Sequence, residues 1–151
     1  MNLGVLASHE GTTLQSLLDA FASGRIAGRV SVVVSNNGDS GALVRARQAG
    51  VPTVHLSSRT HPDPAALDQA IRDVLVAAEV DVVFLAGYMK KLGSVVLETF
   101  QGRILNTHPA LLPRFGGRGM YGDRVFEAVL EAAEPESGVS IHLVDHEYDT
   151  G

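Results

Sequence analysis

The sequence predicts an α/β fold: a doubly wound, mostly parallel sheet with helices on both faces. Short β-rich runs alternate with longer segments of helical apolar period through all 151 residues. The run Val30–Ser35 is almost continuously β-branched rather than alternating, as a strand covered on both faces must be. Gly residues stand where the helical periods stop, at Gly24 and Gly50, positions suited to the left-handed turn that ends a helix.

The elements follow in order. Leu3–Ala7 is a first strand. Leu14, Leu17, Leu18 and Phe21 recur at helical spacing, and Gly24 closes that helix. Val30–Ser35 is the second strand, Ala42–Ala49 a helix, and Pro52–Leu56 a short third strand. Ala65–Glu79 carries a helical stripe at Leu67, Ile71, Val74, Leu75 and Ala78. Asp81–Ala86 is a fourth strand, Val95–Phe100 a short helix and Arg103–Asn106 a fifth strand. Beyond a Gly/Pro-rich loop, Tyr121–Ala133 shows a stripe at Val125, Phe126, Val129 and Leu130, and Val139–Val144 is a sixth strand. No linker, repeat or low-complexity stretch interrupts the series.

Composition narrows the function. Hydrophobic residues make up 45% and charged residues 19%, ordinary values for a globular chain. Aromatics are 5% and Trp is absent, so Val, Leu, Ile and Ala must fill the core. The formal charge is −5 with no dense Lys/Arg run, which argues against nucleic acid and anionic membranes as partners. Small phosphorylated metabolites stay open, since backbone N–H groups can hold them. The lack of Cys removes disulfides, thiolate nucleophiles and zinc–thiolate sites, and fits a cytoplasmic protein. The N-terminus has no basic segment before its short apolar run, and no apolar stretch reaches membrane-spanning length.

Parallel sheets bind ligands beyond the C-terminal ends of their strands, which directs attention to the loops there. The first, Ser8–Thr13, leaves a strand and opens a helix. Gly11 permits close backbone approach, Thr12 or Thr13 can cap, and the free N–H groups would face a phosphate. A plain connection fits it as well, and the charge of Glu10 opposes an anion. The second is Asn106-Thr107-His108-Pro109. Residues two apart in an extended segment project to one side, so Asn106 and His108 would stand together. His serves as acid or base near neutrality and Asn can donate to an oxyanion. A capping Asn beside a surface His fits the same spacing. The third, Asp145–Gly151, holds three carboxylates that could orient a His, or form a solvated acidic loop. His142 and His146 as metal ligands are disfavoured: four strand residues span about 13 Å, and no third ligand follows. No metal is expected. His9, His55 and His61 have no constellation around them.

Three of these segments together resemble a known family. Asn106-Thr107-His108-Pro109-Ala110-Leu111-Leu112-Pro113 resembles the NxHPxLLP signature of the formyltransferase superfamily. Leu85-Ala86-Gly87-Tyr88-Met89-Lys90-Lys91-Leu92 resembles its LAGxMxxL loop, and Val139–Val144 followed by Asp149-Thr150-Gly151 resembles its SVHxV…DxG segment. The LQ-x-LLDA that follows the first loop, Ser35-Asn36-Asn37, Arg45–Gly50 and Arg114–Gly122 are similar to the glycinamide ribonucleotide formyltransferases in particular.

The resemblance implies transfer of a formyl group from 10-formyltetrahydrofolate, a co-substrate, to the amine of glycinamide ribonucleotide in purine synthesis. It aligns Asn106, His108 and Asp149 with the family's catalytic trio. Asn106 and protonated His108 would stabilise the oxyanion, and Asp149 the charged imidazole. Gly11, Thr12 and Thr13 would hold the ribonucleotide phosphate, while Gly87, Met89 and Pro109 floor the site. Lys90, Lys91, Leu92, Leu85, Val144 and Asp145 would form the folate side. Leu112-Pro113 matches a family position with a cis peptide bond. Residues 1–151 would be one formyltransferase domain, with 1–100 its nucleotide-binding half and 101–151 the start of its catalytic and folate-binding half.

His9, Glu10 and Thr13 depart from the usual residues of the phosphate loop, and Lys91 replaces a commonly apolar residue. Family chains also continue past the DxG with another strand and long helices, so this chain is expected to be a fragment of such a protein. A non-catalytic binding remnant and a formyltetrahydrofolate hydrolase are the rival readings. The hydrolase usually carries an extra N-terminal regulatory domain.

Overall fold

The computed structural model describes residues 1–121 and 123–147. Eleven elements alternate along the chain: β1 (Asn2–Ala7), α1 (Thr12–Ala22), β2 (Arg29–Ser35), α2 (Gly41–Gln48), β3 (Thr53–His55), α3 (Pro64–Ala77), β4 (Val82–Leu85), α4 (Ser94–Thr99), β5 (Ile104–His108), α5 (Asp123–Glu131) and β6 (Ser140–Leu143). Local chemistry sets several boundaries. Ser40 accepts from the Leu43 amide to cap α2, and Asp63 caps α3 just ahead of Pro64.

The strands form one sheet in the order β3-β2-β1-β4-β5-β6. β1 to β5 run parallel and β6 runs antiparallel to β5. The chain winds outward from β1 to β3, then returns to the other side of β1 and winds outward again. The reversal lies between β1 and β4, and their C-terminal ends open there into a crevice.

Alternation along each strand builds two cores. Leu3, Val5 and Ala7 of β1 join Val33, Leu14 and Leu43 on one face, under α1 and α2. Leu6 joins Val34, Val83, Ile71, Leu75, Val96 and Phe100 on the other, under α3 and α4. Each fully buried Leu or Val contributes roughly 1.5–3 kcal/mol. Gly4 is required by this packing: a Cβ there would lie 2.8 Å from Leu75 Cδ2 and 2.9 Å from Val80 Cγ2.

The structure departs from the sequence reading in three places. Neither Thr12 nor Thr13 caps α1. Gly11 does so by its backbone, at φ 76°, pressed so close to α2 that a Cβ would sit 2.6 Å from the Ala42 Cα. The fifth strand extends two residues beyond Asn106, because β6 pairs with it as far as His108. In α5, Val125 is buried but Phe126 is 52% and Leu130 77% exposed, so the described residues do not cover the apolar stripe.

Candidate active site

The pairing of β5 with β6 sorts their side chains. Asn106 stands opposite His142 and His108 opposite Ser140 on one face, while Leu105 opposes Leu143 and Thr107 opposes Ile141 on the other. Asn106, His108, Ser140 and His142 therefore gather on one face, with Thr107 on the other. Extra strand length, not a loop, brings Asn106 and His108 to the same side.

Hydrogen bonds orient the polar side chains of this face. His142 is buried, and its Nδ1–H donates to the Leu143 carbonyl at 2.9 Å. Its Nε2 then accepts from Asn106 Nδ2 at 3.2 Å. The Asn106 amide is held with nitrogen toward His142, leaving its second N–H able to donate elsewhere. His108, 3% exposed, donates from Nε2 to the Phe115 carbonyl at 2.6 Å. Phe115 has φ 57°, a left-handed conformation that turns this carbonyl inward. Ser140 donates to the Ala110 carbonyl at 2.7 Å and accepts from the Leu112 amide at 3.0 Å, anchoring the loop that contains the cis Leu112–Pro113 bond.

Two cavities share Asn106. The larger, about 380 Å³, brings Gly87, Met89 and Pro109 together with Asn106 and His108. Arg118, Arg124, Lys90 and Lys91 also line it, and among the described residues no carboxylate does. Arg124 lies over the Tyr121 ring, 5.1 Å from its centroid. The smaller cavity, about 100 Å³, is lined by Leu85, Lys90, Lys91, Leu92, Val144 and Asp145 together with Asn106 and His142. Tyr88 borders both. Burial, and secondarily the Asp68 carboxylate, raises its hydroxyl pKa to about 12, so it stays protonated at neutral pH.

Gly11, Thr12 and Thr13 do not line either cavity. Their loop is tied to the crevice through Ser8, whose amide donates to the Gly87 carbonyl at 3.2 Å. Arg45 Nε donates to the Glu10 carbonyl at 2.7 Å and places a cation beside this loop, against the charge of Glu10. Asp149 lies outside the described residues. Asp145 accepts from the Glu147 amide at 2.8 Å. Among the described residues no three His, Asp or Glu side chains gather to hold a metal ion, and no helix is long and apolar enough to cross a membrane.

Sequence reasoning weighed His142 as a metal ligand and placed it in the SVHxV-like segment, but gave it no role in the site. The signal that could have found it is its register: in an antiparallel pair, the residue opposite Asn106 must face the same side. Arg118 and Arg124 were also missed, since the cleft wall is made by a loop and a helix whose placement no periodicity shows.

The sequence matches the Formyl transferase family over residues 1–151. It is similar to the phosphoribosylglycinamide formyltransferase of Haemophilus influenzae, 39% identical over 99% of this chain and 68% of that one. The chloroplastic phosphoribosylglycinamide formyltransferase of Arabidopsis thaliana is 40% identical over 99% of this chain, which spans about half (51%) of it. Among solved structures, glycinamide ribonucleotide transformylase 1 from Symbiobacterium toebii matches with a TM-score of 0.93 and 41% identity, covering 100% of this chain and 69% of that one. The chain belongs to the formyl transferase family.

Proposed function

We propose that this chain transfers the formyl group of 10-formyltetrahydrofolate to the amine of glycinamide ribonucleotide, a cytoplasmic step of purine synthesis. The observation that carries the proposal is the convergence of Asn106 and His108, with His142 behind Asn106, on a cleft beside a second, mostly apolar cavity. The family match and the names of the relatives supply the reaction class. The cation-rich cleft suits an anionic ribonucleotide. The smaller cavity, with Leu85, Leu92 and Val144 around backbone polar groups, suits a flat heterocycle such as a pterin. On this reading residues 1–100 supply most of the ribonucleotide side, and 101–151 the reacting groups and one wall of the folate side.

The chemistry is acyl transfer. The amine nitrogen attacks the formyl carbon, a C–N bond forms, and the carbonyl electron pair moves to oxygen. The second N–H of Asn106 and the imidazolium of His108 stabilise that oxyanion. Collapse re-forms the carbonyl and breaks the bond to N10, while the proton lost by the amine passes to N10 through water. Asp149, aligned with the family's carboxylate, favours the charged imidazole of His108. Gly11, Thr12, Thr13 and the neighbouring Arg45 hold the phosphate end. Holding both substrates at one point of the sheet edge supplies the proximity effect.

The test is a formyl-transfer assay with both substrates beside a His108→Ala control. Turnover by the chain, reduced about 10²-fold or more in the control, is the expected result. A folded chain that binds one substrate but transfers nothing would favour the binding-remnant reading.

A further inference from the structure

Ser8 ends β1 at the edge of the crevice where the winding of the sheet reverses, and it is 2% exposed. Its amide donates to the Gly87 carbonyl at 3.2 Å. Its hydroxyl accepts from the Met89 amide at 2.8 Å and donates to Asn36 Oδ1 at 2.6 Å. One side chain thus links the loops that follow β1, β2 and β4. A hydroxyl has one proton and lone pairs to spare, so it can donate and accept at once, which neither Ala nor a carboxylate in the same space can do. Asn36, part of the Ser-Asn-Asn run after β2, gains a role here as the acceptor that orients the hydroxyl.

The segment Ser8 holds is exacting. Gly87 turns at φ 70°, and Gly87 and Met89 floor the cleft that contains Asn106 and His108. On the other side Ser8 leads within three residues to Gly11, the backbone cap of α1. The two ends of the proposed ribonucleotide site are therefore fixed to each other through Ser8. Ser8 bonds the backbone of Gly87 and Met89, which line the cleft and not the smaller cavity; Tyr88 between them borders both, while Leu97, His142, Val144 and Asp145 of the smaller cavity come from α4 and the β6 region.

We infer that Ser8 is a positioning residue for the ribonucleotide, setting the Gly87–Met89 floor in register with the Gly11–Thr13 loop; the inference rests on the formyl-transfer reading above. The experiment uses the full chain with Ser8→Ala and Asn36→Ala. Three quantities are read: hydrogen exchange at the Met89 amide, calorimetric affinity for glycinamide ribonucleotide, and KM for each substrate. Ser8→Ala should speed Met89 exchange and weaken ribonucleotide affinity about tenfold, as loss of one well-placed hydrogen bond does. KM for 10-formyltetrahydrofolate should stay within about twofold. Asn36→Ala should move the same quantities in the same direction by less, and decides on the same criteria if Ser8→Ala does not fold. Equal changes in both Michaelis constants, or faster Met89 exchange with unchanged ribonucleotide affinity, would overturn the inference alone. A folded wild-type chain that binds no ribonucleotide would overturn it together with the functional reading.

Discussion

Asn106 and His142 meet as a directly opposed pair across the β5–β6 ladder, and their contact decides which way the Asn106 amide points. With His142 Nδ1–H donating to the Leu143 carbonyl, a neutral imidazole offers Nε2 as an acceptor, and the amide nitrogen of Asn106 faces it. An oxyanion needs a donor, and a reversed amide would present an oxygen instead. His142→Ala should therefore lower kcat by about tenfold with both KM values little changed, while Asn106→Ala costs roughly 10²–10³. Because His142 acts through Asn106, adding His142→Ala to Asn106→Ala should cost almost nothing more; steady-state kinetics of the four proteins check this, and additive losses would place His142 in an independent role. Tyr88 gives a second expectation at this scale. Its folded pKa of about 12 exceeds the 10 of an exposed phenol, so burial favours the protonated form. The sign follows: the contribution to stability is whole below pH 10 and is lost as pH rises toward 12. Alkaline denaturation midpoints should show Tyr88→Phe losing less stability than wild type across that window.

At the scale of elements, α4 depends on a residue far away in the chain. Gly93 at its N-cap has no side chain to offer. The Asp68 carboxylate, from the middle of α3, accepts from the amides of Gly93 at 2.9 Å, Val95 at 2.8 Å and Val96 at 3.4 Å. The charge also complements the positive end of the short helix. Asp68→Ala should cost about 2 kcal/mol in urea unfolding, the upper range for a lost cap, with Asp68→Asn losing less. Gly93→Ala should be as damaging, since its Cβ would fall 2.5 Å from the Asp68 Cγ and expel the carboxylate. The helix itself was legible as a short segment from Val95 to Phe100. Its cap was not, because local patterns cannot show a partner 25 residues upstream. The cap of α1 failed for the opposite reason: Thr12 and Thr13 have the right chemistry, but tight packing of Gly11 on Ala42 starts the helix by backbone alone.

For the whole molecule, legibility follows the strength of the burial signal. β1, β2 and β4 are buried on both faces, so their sequences are nearly pure apolar runs and the parallel sheet could be read from them. The β5–β6 ribbon is covered less: Ile141 is 66% and Leu143 46% exposed, and α5 buries Val125 alone. There the polar pattern serves the site rather than the core, and the end of β5 and the role of His142 escaped notice. The same contrast predicts how the molecule opens. Hydrogen exchange reports the cheapest opening that frees each amide. The amides of β1 and β4 are enclosed by two core layers and can be freed only when both layers separate. The Val144 amide, bonded to the Ile104 carbonyl at 2.9 Å, is protected by a two-strand pairing at the sheet edge, which can part while the cores stay intact. Exchange followed in rising urea should show Val5 and Val83 on the global unfolding curve and Val144 well below it. Since Asn106 is held by the same ribbon, the site should then lose its geometry at urea concentrations where the central sheet still stands, and activity should fall before far-UV circular dichroism. Coincident loss of both signals would mean that β6 and α5 belong to the cooperative core despite their exposure.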